Sequence, residues 1–253
     1  MDFDAVLFVI SAPNLSNRRL EQLRSHIAAA TSHPAVLIRL EGTGTSLPDA
    51  LDALYAANHR RILVQPLGIP FTESLLAWLP GAIASWQHDR GLSDVEVAVG
   101  REVATGPEMI EAAVAATFAK SSEATSVAGT KPSLGKPGWQ DPPDFVHHLL
   151  VCTGPRCQYR DAASLLHVLK DETARQGISN QCLTARTGCL FPCNQGPMVA
   201  LYPKGEWYRL PDAASVQRFV GEVLVDGKTL PDLLIHTAKA VRPPTFSNED
   251  QLK

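Results

Sequence analysis

Four cysteines in two short clusters, Cys152-Thr-Gly-Pro-Arg-Cys157 and Cys189-Leu-Phe-Pro-Cys193, are the residues of this chain best suited to chemistry. Thirty-one residues lie between the clusters, so only a folded domain can bring the four sulfurs to one centre. Soft thiolates match iron and zinc, and closely spaced pairs let one loop supply two ligands to one metal. Read ligand to ligand the gaps are four, thirty-one and three residues. That differs from the plant-type ferredoxin run and from zinc ribbons, whose pairs usually enclose two residues. An iron–sulfur cluster, a structural zinc and a redox dithiol are the three readings of the spacing. Cys182 lies seven positions before the second pair in a strand-like stretch, and reads as a buried apolar cysteine rather than a fifth ligand. Gly154, Gly188 and Gly196 allow backbone to crowd the site, and loop N–H groups there can donate to sulfur and raise a cluster's potential.

The elements that position these residues follow from apolar patterning. Ala5 to Ile10 is a continuous apolar run, followed by Ser11-Ala-Pro-Asn-Leu-Ser16 and a helical pattern through Leu20, Leu23, Ile27 and Ala30. That reads as strand, loop, helix. Val36 to Leu40 and Arg61 to Leu67 are further strands, with a helix opening at Ser46 and Pro48 between them. Phe71 to His88 is helical with an interruption expected at Pro80-Gly81, then Val95 to Val99 is a strand and Glu108 to Ala119 a helix. The alternation predicts a parallel sheet with its ligand cleft at the strand ends, near Ser11 to Asn14 and Gly68 to Ser74. Residues 121 to 144 turn to Ser, Thr, Gly, Lys and Pro and read as a flexible linker. Beyond it, Phe145 to Val151 leads as a strand into the first cysteine pair, Ala162 to Gln176 is a helix, and Gln181 to Ala185 leads as a strand to the second pair. Met198 to Tyr202 and Trp207 to Leu210 form a hairpin around Pro203-Lys-Gly205, and Ala213 to Val223 is a closing helix. The fold class is α/β throughout. The expected domains are 1–120 and 145–240, with a tail at 241–253.

Composition narrows the partners. In 253 residues, 45% of them hydrophobic, there is material for two modest cores. Lys and Arg total 23 against 26 Asp and Glu, a balance that gives no general attraction to nucleic acid or to an anionic membrane. The apolar runs are strand-sized, well below the about 20 residues that cross a bilayer. Asp2 and Asp4 stand where a signal peptide would be basic, so a cytoplasmic location is expected. There thiols stay reduced, and clustered cysteines are ligands or redox groups more often than disulfides.

The order strand, C-x4-C loop, helix, strand, Thr-Gly-Cys189-Leu-Phe-Pro-Cys193, Asn-Gln-Gly-Pro and a hairpin with Trp207-Tyr208 resembles the thioredoxin-like [2Fe–2S] ferredoxins over residues 145 to 226. The resemblance implies that Cys152, Cys157, Cys189 and Cys193 ligate a [2Fe–2S] cluster near the surface, and that the domain carries single electrons to or from a redox partner protein. The first pair here is more closely spaced than in many members. Arg156, Arg160 and Lys204 are candidates for a basic rim that docks an acidic electron donor.

Residues 1 to about 120 resemble the small class II chelatases, which insert a divalent metal into a tetrapyrrole. The stretches are Ala5-Val-Leu-Phe-Val-Ile10, Leu47 to Leu54, Arg60 to Leu67, Leu79-Pro80 and Val99 to Pro107. The family's two metal-binding histidines fall on Ser11 and Ser74, with a one-residue slip substituting Glu73. An imidazole holds a transition ion and accepts a pyrrole proton, whereas a serine hydroxyl does neither well near neutral pH. His26, His33, His59 and His88 lie off the strand-end cleft, His167 and His236 have no partner in sequence, and His147 and His148 point to opposite faces of a strand. Glu41 and Glu73 remain as cleft carboxylates.

The fusion therefore predicts an electron-transfer protein, accessory to cobalamin or tetrapyrrole metabolism, with a degenerate chelatase-like domain that binds a tetrapyrrole, a corrinoid or a partner. A short flexible tether would raise the effective concentration of the pair to about millimolar order. The alternative is a chelatase with an appended redox or sensing cluster, using Ser11, Glu73 and Ser74 as an oxygen-rich metal site. Both resemblances imply self-association as a homodimer.

Overall fold

In the computed structural model the described residues are 3–67, 71–101, 106–119, 138 and 140–239. The first unit is a four-stranded parallel sheet, β1 (Ala5–Ile10), β2 (Ala35–Arg39), β3 (Arg61–Pro66) and β4 (Glu96–Val99), in the order β2-β1-β3-β4. Val9 pairs with Ile38 on one side and Pro66 on the other, so β1 is central; Ala5, Leu7 and Val9 are buried on one face, and Val6, Phe8 and Ile10 are half-buried to buried on the other. That burial explains its unbroken apolar sequence. Leu7 and Val9 face a core with Ile38, Leu51, Leu54, Leu79 and Trp86, supplied by α2 (Leu47–Ala56) and α3 (Glu73–Asp89). On the other face Phe8 and Ile10 meet Leu20 and Ile27 of α1 (Asn17–Ala30). The helix α4 (Pro107–Ala119) follows β4.

Ser16, Ser46 and Thr72 cap α1, α2 and α3, each hydroxyl accepting the backbone N–H three residues on. The interruption expected at Pro80-Gly81 does not occur, because α3 runs through Pro80. Leu75, Leu79, Ala82, Ile83 and Trp86 all reach the core from one helical stripe, and this burial outweighs the hydrogen bond that proline removes.

The second unit is a five-stranded mixed sheet, β5 (His147–Cys152), β6 (Cys182–Thr187), β7 (Met198–Tyr202), β8 (Glu206–Arg209) and β9 (Leu234–Thr237), in the order β6-β5-β7-β8-β9. Only β5 and β6 are parallel, joined by α5 (Pro155–Gln158) and α6 (Ala162–Arg175). The expected hairpin is β7-β8, with Val199 opposite Tyr208. The closing helix α7 (Ala213–Arg218) opens with an Asp212–Ser215 capping box and runs into a wider π-type turn at Phe219–Val225. Leu149, Val151, Leu166, Leu169, Phe219 and Val223 form the core between sheet and helices. The edge strand β9 and the short α5 are additions to the sequence reading.

Residues 121–137 of the expected linker lie outside the described residues, as do 241–253 of the tail. The two units are in contact. Gly42 N–H donates to Thr153 O at 2.9 Å, Gln158 Nε2 to Gly44 O at 3.1 Å and Tyr159 Oη to Ala82 O at 3.0 Å. Tyr159 also packs against the core of the first sheet. No helix among the described residues is long and apolar enough to cross a membrane.

Candidate metal centre

Parallel pairing of β5 and β6 assembles the cysteines. Cys152 ends β5 opposite Thr187, the last residue of β6, so both cysteine loops leave the same end of neighbouring strands. Thr153 fastens them, its N–H and its Oγ1 both donating to Thr187 O at 3.0 and 2.9 Å. Gly154 then caps α5, with Pro155 in the first helical position, where its missing N–H costs nothing and its fixed φ suits the turn. One short turn later comes Cys157. The loop after Thr187 carries Cys189 and Cys193, the latter opening a single 3₁₀ turn.

All four sulfur-bearing residues line one small cavity of about 20 Å³, closed by Gly154, Pro155 and Arg156. The thiols stand in two pairs. Cys152 and Cys157 are hydrogen-bonded to each other, and Cys189 Sγ lies 3.2 Å from Cys193 Sγ. Among the described residues no three His, Cys, Asp or Glu side chains converge as a ready-made site for one ion. Two sulfur pairs facing one gap fit a two-metal centre, one pair to each metal, better than a single tetrahedral ion. Cys152 and Cys157 are each 2% exposed, Cys193 is half-buried, and Cys189 is exposed beside Phe191, itself 73% exposed. One edge of the centre therefore reaches solvent.

The Cys152 thiol is held well below its ordinary value, chiefly by the hydrogen bond from Cys157, with further N–H donors at Leu190 and Gly154 opposing the effect of burial. Cys157 is pushed up because it donates that bond and is itself buried, although Met198 N–H also points to it. Burial, then the bond with Cys189, pushes Cys193 up. Three backbone N–H groups thus already point at the first sulfur pair. Such donors favour thiolate, and they tune any cluster held there.

The three glycines of the loops are not equivalent. A Cβ at Gly154 would stand 2.8 Å from Gly188 O, and one at Gly196 would collide with Cys157 Sγ. At Gly188 a Cβ would meet nothing within 4 Å. The close approach of Gly154 to Gly188 holds the two loops together, and Cys152 Sγ donates to the same Gly188 carbonyl at 3.2 Å.

Cys182 stays away from the centre, half-buried against the second core, and burial alone raises its thiol. Of the expected basic rim, Arg156 and Arg160 flank the centre, and Arg160 Nη1 donates to Cys193 O at 3.2 Å. Lys204 belongs elsewhere, its Nζ donating to Gly227 O in the hairpin region. His147 Nε2 meets Leu224 O while the His148 ring packs on Phe145, so the adjacent histidines have separate partners.

At the strand ends of the first sheet, Ser11 Oγ donates to Glu41 Oε1 at 2.6 Å. Glu41 is 7% exposed; burial pushes its carboxyl up, partly offset by the bonds from Ser11 and the Ala12 N–H, and its Oε2 has no partner among the described residues. Buried Arg39 ties the neighbouring loops together through Leu15 O, Asn17 Oδ1 and Thr43 O. Glu73 and Ser74 are exposed on the first turn of α3, and no hydrogen bond joins either to Ser11 among the described residues. Residues 68–70 of that loop lie outside the described residues. The next residue after Glu41, Gly42, holds Thr153 beside Cys152, so the cleft loop of one unit is bonded to the cysteine loop of the other.

Sequence reasoning did not find Trp78, Gln158 or Tyr159. They join the units across more than 70 residues of chain, and no local period signals such a contact.

No protein-family model matches the chain. A protein named "Ferredoxin, 2Fe-2S" from Clostridium pasteurianum is 29% identical over 97 residues, covering 35% of this chain and 95% of the relative. A thioredoxin-like [2Fe–2S] ferredoxin structure from Aquifex aeolicus is 24% identical, with a TM-score of 0.35, across 38% of this chain and 96% of its own. A structure from Marinobacter aquaeolei VT8, described as a cobalamin (vitamin B12) biosynthesis CbiX protein, is 15% identical, with a TM-score of 0.39, across 47% of this chain and 98% of its own.

Proposed function

We infer that this chain is an iron–sulfur electron-transfer protein whose C-terminal unit is a thioredoxin-like [2Fe–2S] ferredoxin domain, ligated by Cys152, Cys157, Cys189 and Cys193. The observation that carries the reading is the single cavity lined by all four cysteines, their sulfurs already grouped in twos. The Clostridium relative, spanned over 95% of its length, supports it.

A bound cluster supplies one-electron chemistry, and the protein's part is to hold, tune and shield it. Cys152 and Cys157 bury one side under α5, while N–H groups of Gly154, Leu190 and Met198 donate to their sulfurs. Cys189 and Phe191 leave the other side open to a redox partner protein. Arg156 and Arg160 add positive charge near that side and favour an acidic partner.

We read the N-terminal unit as a chelatase-like domain that binds a tetrapyrrole, a corrinoid or a partner rather than inserting a metal. Ser11 is committed to Glu41, and Glu73 and Ser74 face solvent with no hydrogen bond to Ser11 among the described residues, which favours this reading over the oxygen-rich metal site. Its role with a tetrapyrrole or corrinoid is part of the same proposal. Anaerobic purification followed by iron and acid-labile sulfide analysis should give about two of each per chain, with an EPR signal on dithionite reduction. Cys152→Ser or Cys193→Ser should abolish or distort that signal. Colourless, zinc-loaded protein from iron-replete cells refutes the reading. Cobalt or iron insertion into sirohydrochlorin that survives loss of the cluster cysteines would establish the chelatase instead.

A further inference from the structure

Between the two units lies a cavity of about 460 Å³ that neither unit forms alone. Trp78, Gly81 and Asp89 of α3 line it from one unit, and Arg156, Tyr159, Arg160 and Cys193 line it from the other. The volume falls in the range typical of small-molecule sites. Its walls combine flat surfaces with positive charge. The Arg156 guanidinium stands 5.4 Å from the centre of the Trp78 ring, and Tyr159 meets Trp78 edge-on at 6.1 Å between ring centres.

Arg156 is half-buried, and no carboxylate among the described residues pairs with it. Arg160 likewise bonds only the carbonyls of Arg156 and Cys193 among those residues. Two guanidiniums therefore face the cavity against the single carboxylate of Asp89, which leaves an excess of positive charge beside an indole. Guanidinium groups bind carboxylate and phosphate through paired N–H donors and also stack on conjugated rings.

We propose that this cavity binds a planar, conjugated organic anion, its ring against Trp78 and its carboxylate or phosphate on Arg156 and Arg160. Asp89 is placed to accept from a ring N–H. A ring seated there lies against Cys193, which matters for electron transfer only if the ferredoxin reading holds. Binding itself does not depend on it.

The probes are uroporphyrin, whose anions are carboxylates, and flavin mononucleotide, whose anion is a phosphate, each dialysed to equilibrium against the full-length protein as purified. A Cβ at Gly81 meets nothing within 4 Å, so Gly81→Trp brings an indole into the cavity without a clash where the side chain leaves α3. Trp78→Leu removes the stacking surface, as a second variant should the first fail to fold. At least one probe should bind, and both variants should weaken it by about tenfold or more. Uroporphyrin alone points to a tetrapyrrole ligand, and the flavin alone to a flavin. The proposal is overturned if neither probe binds, or if the folded variants bind as the parent does. Iron and sulfide are counted on the same samples. A colourless protein that still binds a ring refutes the ferredoxin reading and keeps the site, whereas a two-iron protein that binds neither does the reverse.

Discussion

Replacing Gly154 by alanine tests whether the approach of the two cysteine loops sets the geometry of the centre. Gly154 has φ −64° and ψ 165°, a conformation alanine adopts freely, so any effect must come from the added methyl. That methyl would stand 2.8 Å from Gly188 O, 3.2 Å from Gly188 C and 3.4 Å from Cys189 Cα, where 3.4 Å is the near limit of ordinary contact. The backbone at Gly188 must therefore recede, and it reaches ordinary contact only after moving about 0.6 Å. It carries Cys189, the next residue, with it. Metal–ligand distances tolerate only about 0.2 Å, so a shift of this size exceeds what a rigid site absorbs. Overpacking of this kind costs about 1–3 kcal/mol of stability. Gly188→Ala is the matched control, because its methyl meets nothing within 4 Å. After anaerobic purification, Gly154→Ala should carry less iron and sulfide per chain with an altered EPR spectrum, and Gly188→Ala should match the parent. Parental cluster content in Gly154→Ala, or equal losses in both variants, refutes the reasoning.

Cys182→Ser should leave iron and sulfide content unchanged, with at most about 1 kcal/mol lost in urea unfolding from exchanging a half-buried thiol for a hydroxyl. Trp86 is fully buried and its Nε1 donates to Asp52 Oδ1 at 2.8 Å, so Trp86→Phe should lower the stability of the N-terminal unit by about 2–4 kcal/mol without changing the EPR signal. Burial holds the Glu41 carboxyl above its ordinary 4.5 in the folded protein, so the stability it contributes is present below that value and is lost as pH rises through the folded pKa. Urea midpoints at pH 4.5 and 7.5 should therefore show the parent losing stability relative to Glu41→Gln as pH rises; a constant difference between the two proteins contradicts this.

Docking of the two units changes how their partnership works. A loose tether would deliver only a raised local concentration, whereas here Gly42, Gly44 and Ala82 each hold the cysteine-bearing loop or the helix after it by a direct hydrogen bond. The peptide from Glu41 to Gly42 links the buried carboxylate of one unit to Thr153 of the other, so a change at the strand-end cleft has a short bonded route to Cys152.

Much was legible from the sequence. Ala5–Ile10 is a strand because six consecutive apolar residues in a parallel sheet bury both faces, and the capping serines mark where α1 and α2 begin. The cysteine pairs pointed to a shared centre because two closely spaced pairs so far apart in the chain meet only in a folded domain, and the described structure puts all four on one cavity. Other features had no local signature. Pro80 reads as a helix breaker until the stripe from Leu75 to Trp86 is seen to reach the core, and β9 is a four-residue edge strand with exposed His236 and Thr237, too polar to stand out.

The residue types and their order alone determined that this chain has two α/β units and two closely spaced pairs of thiols, because burial periodicity and thiol spacing are written in neighbouring residues. Tertiary structure alone decided that Gly154 is crowded and Gly188 is not, that Lys204 lies away from the centre, and that Trp78 of one unit faces Arg156 of the other. Each of those depends on the distance between segments far apart in the chain, and a distance of that kind is set by how sheets and helices pack, which no local pattern encodes.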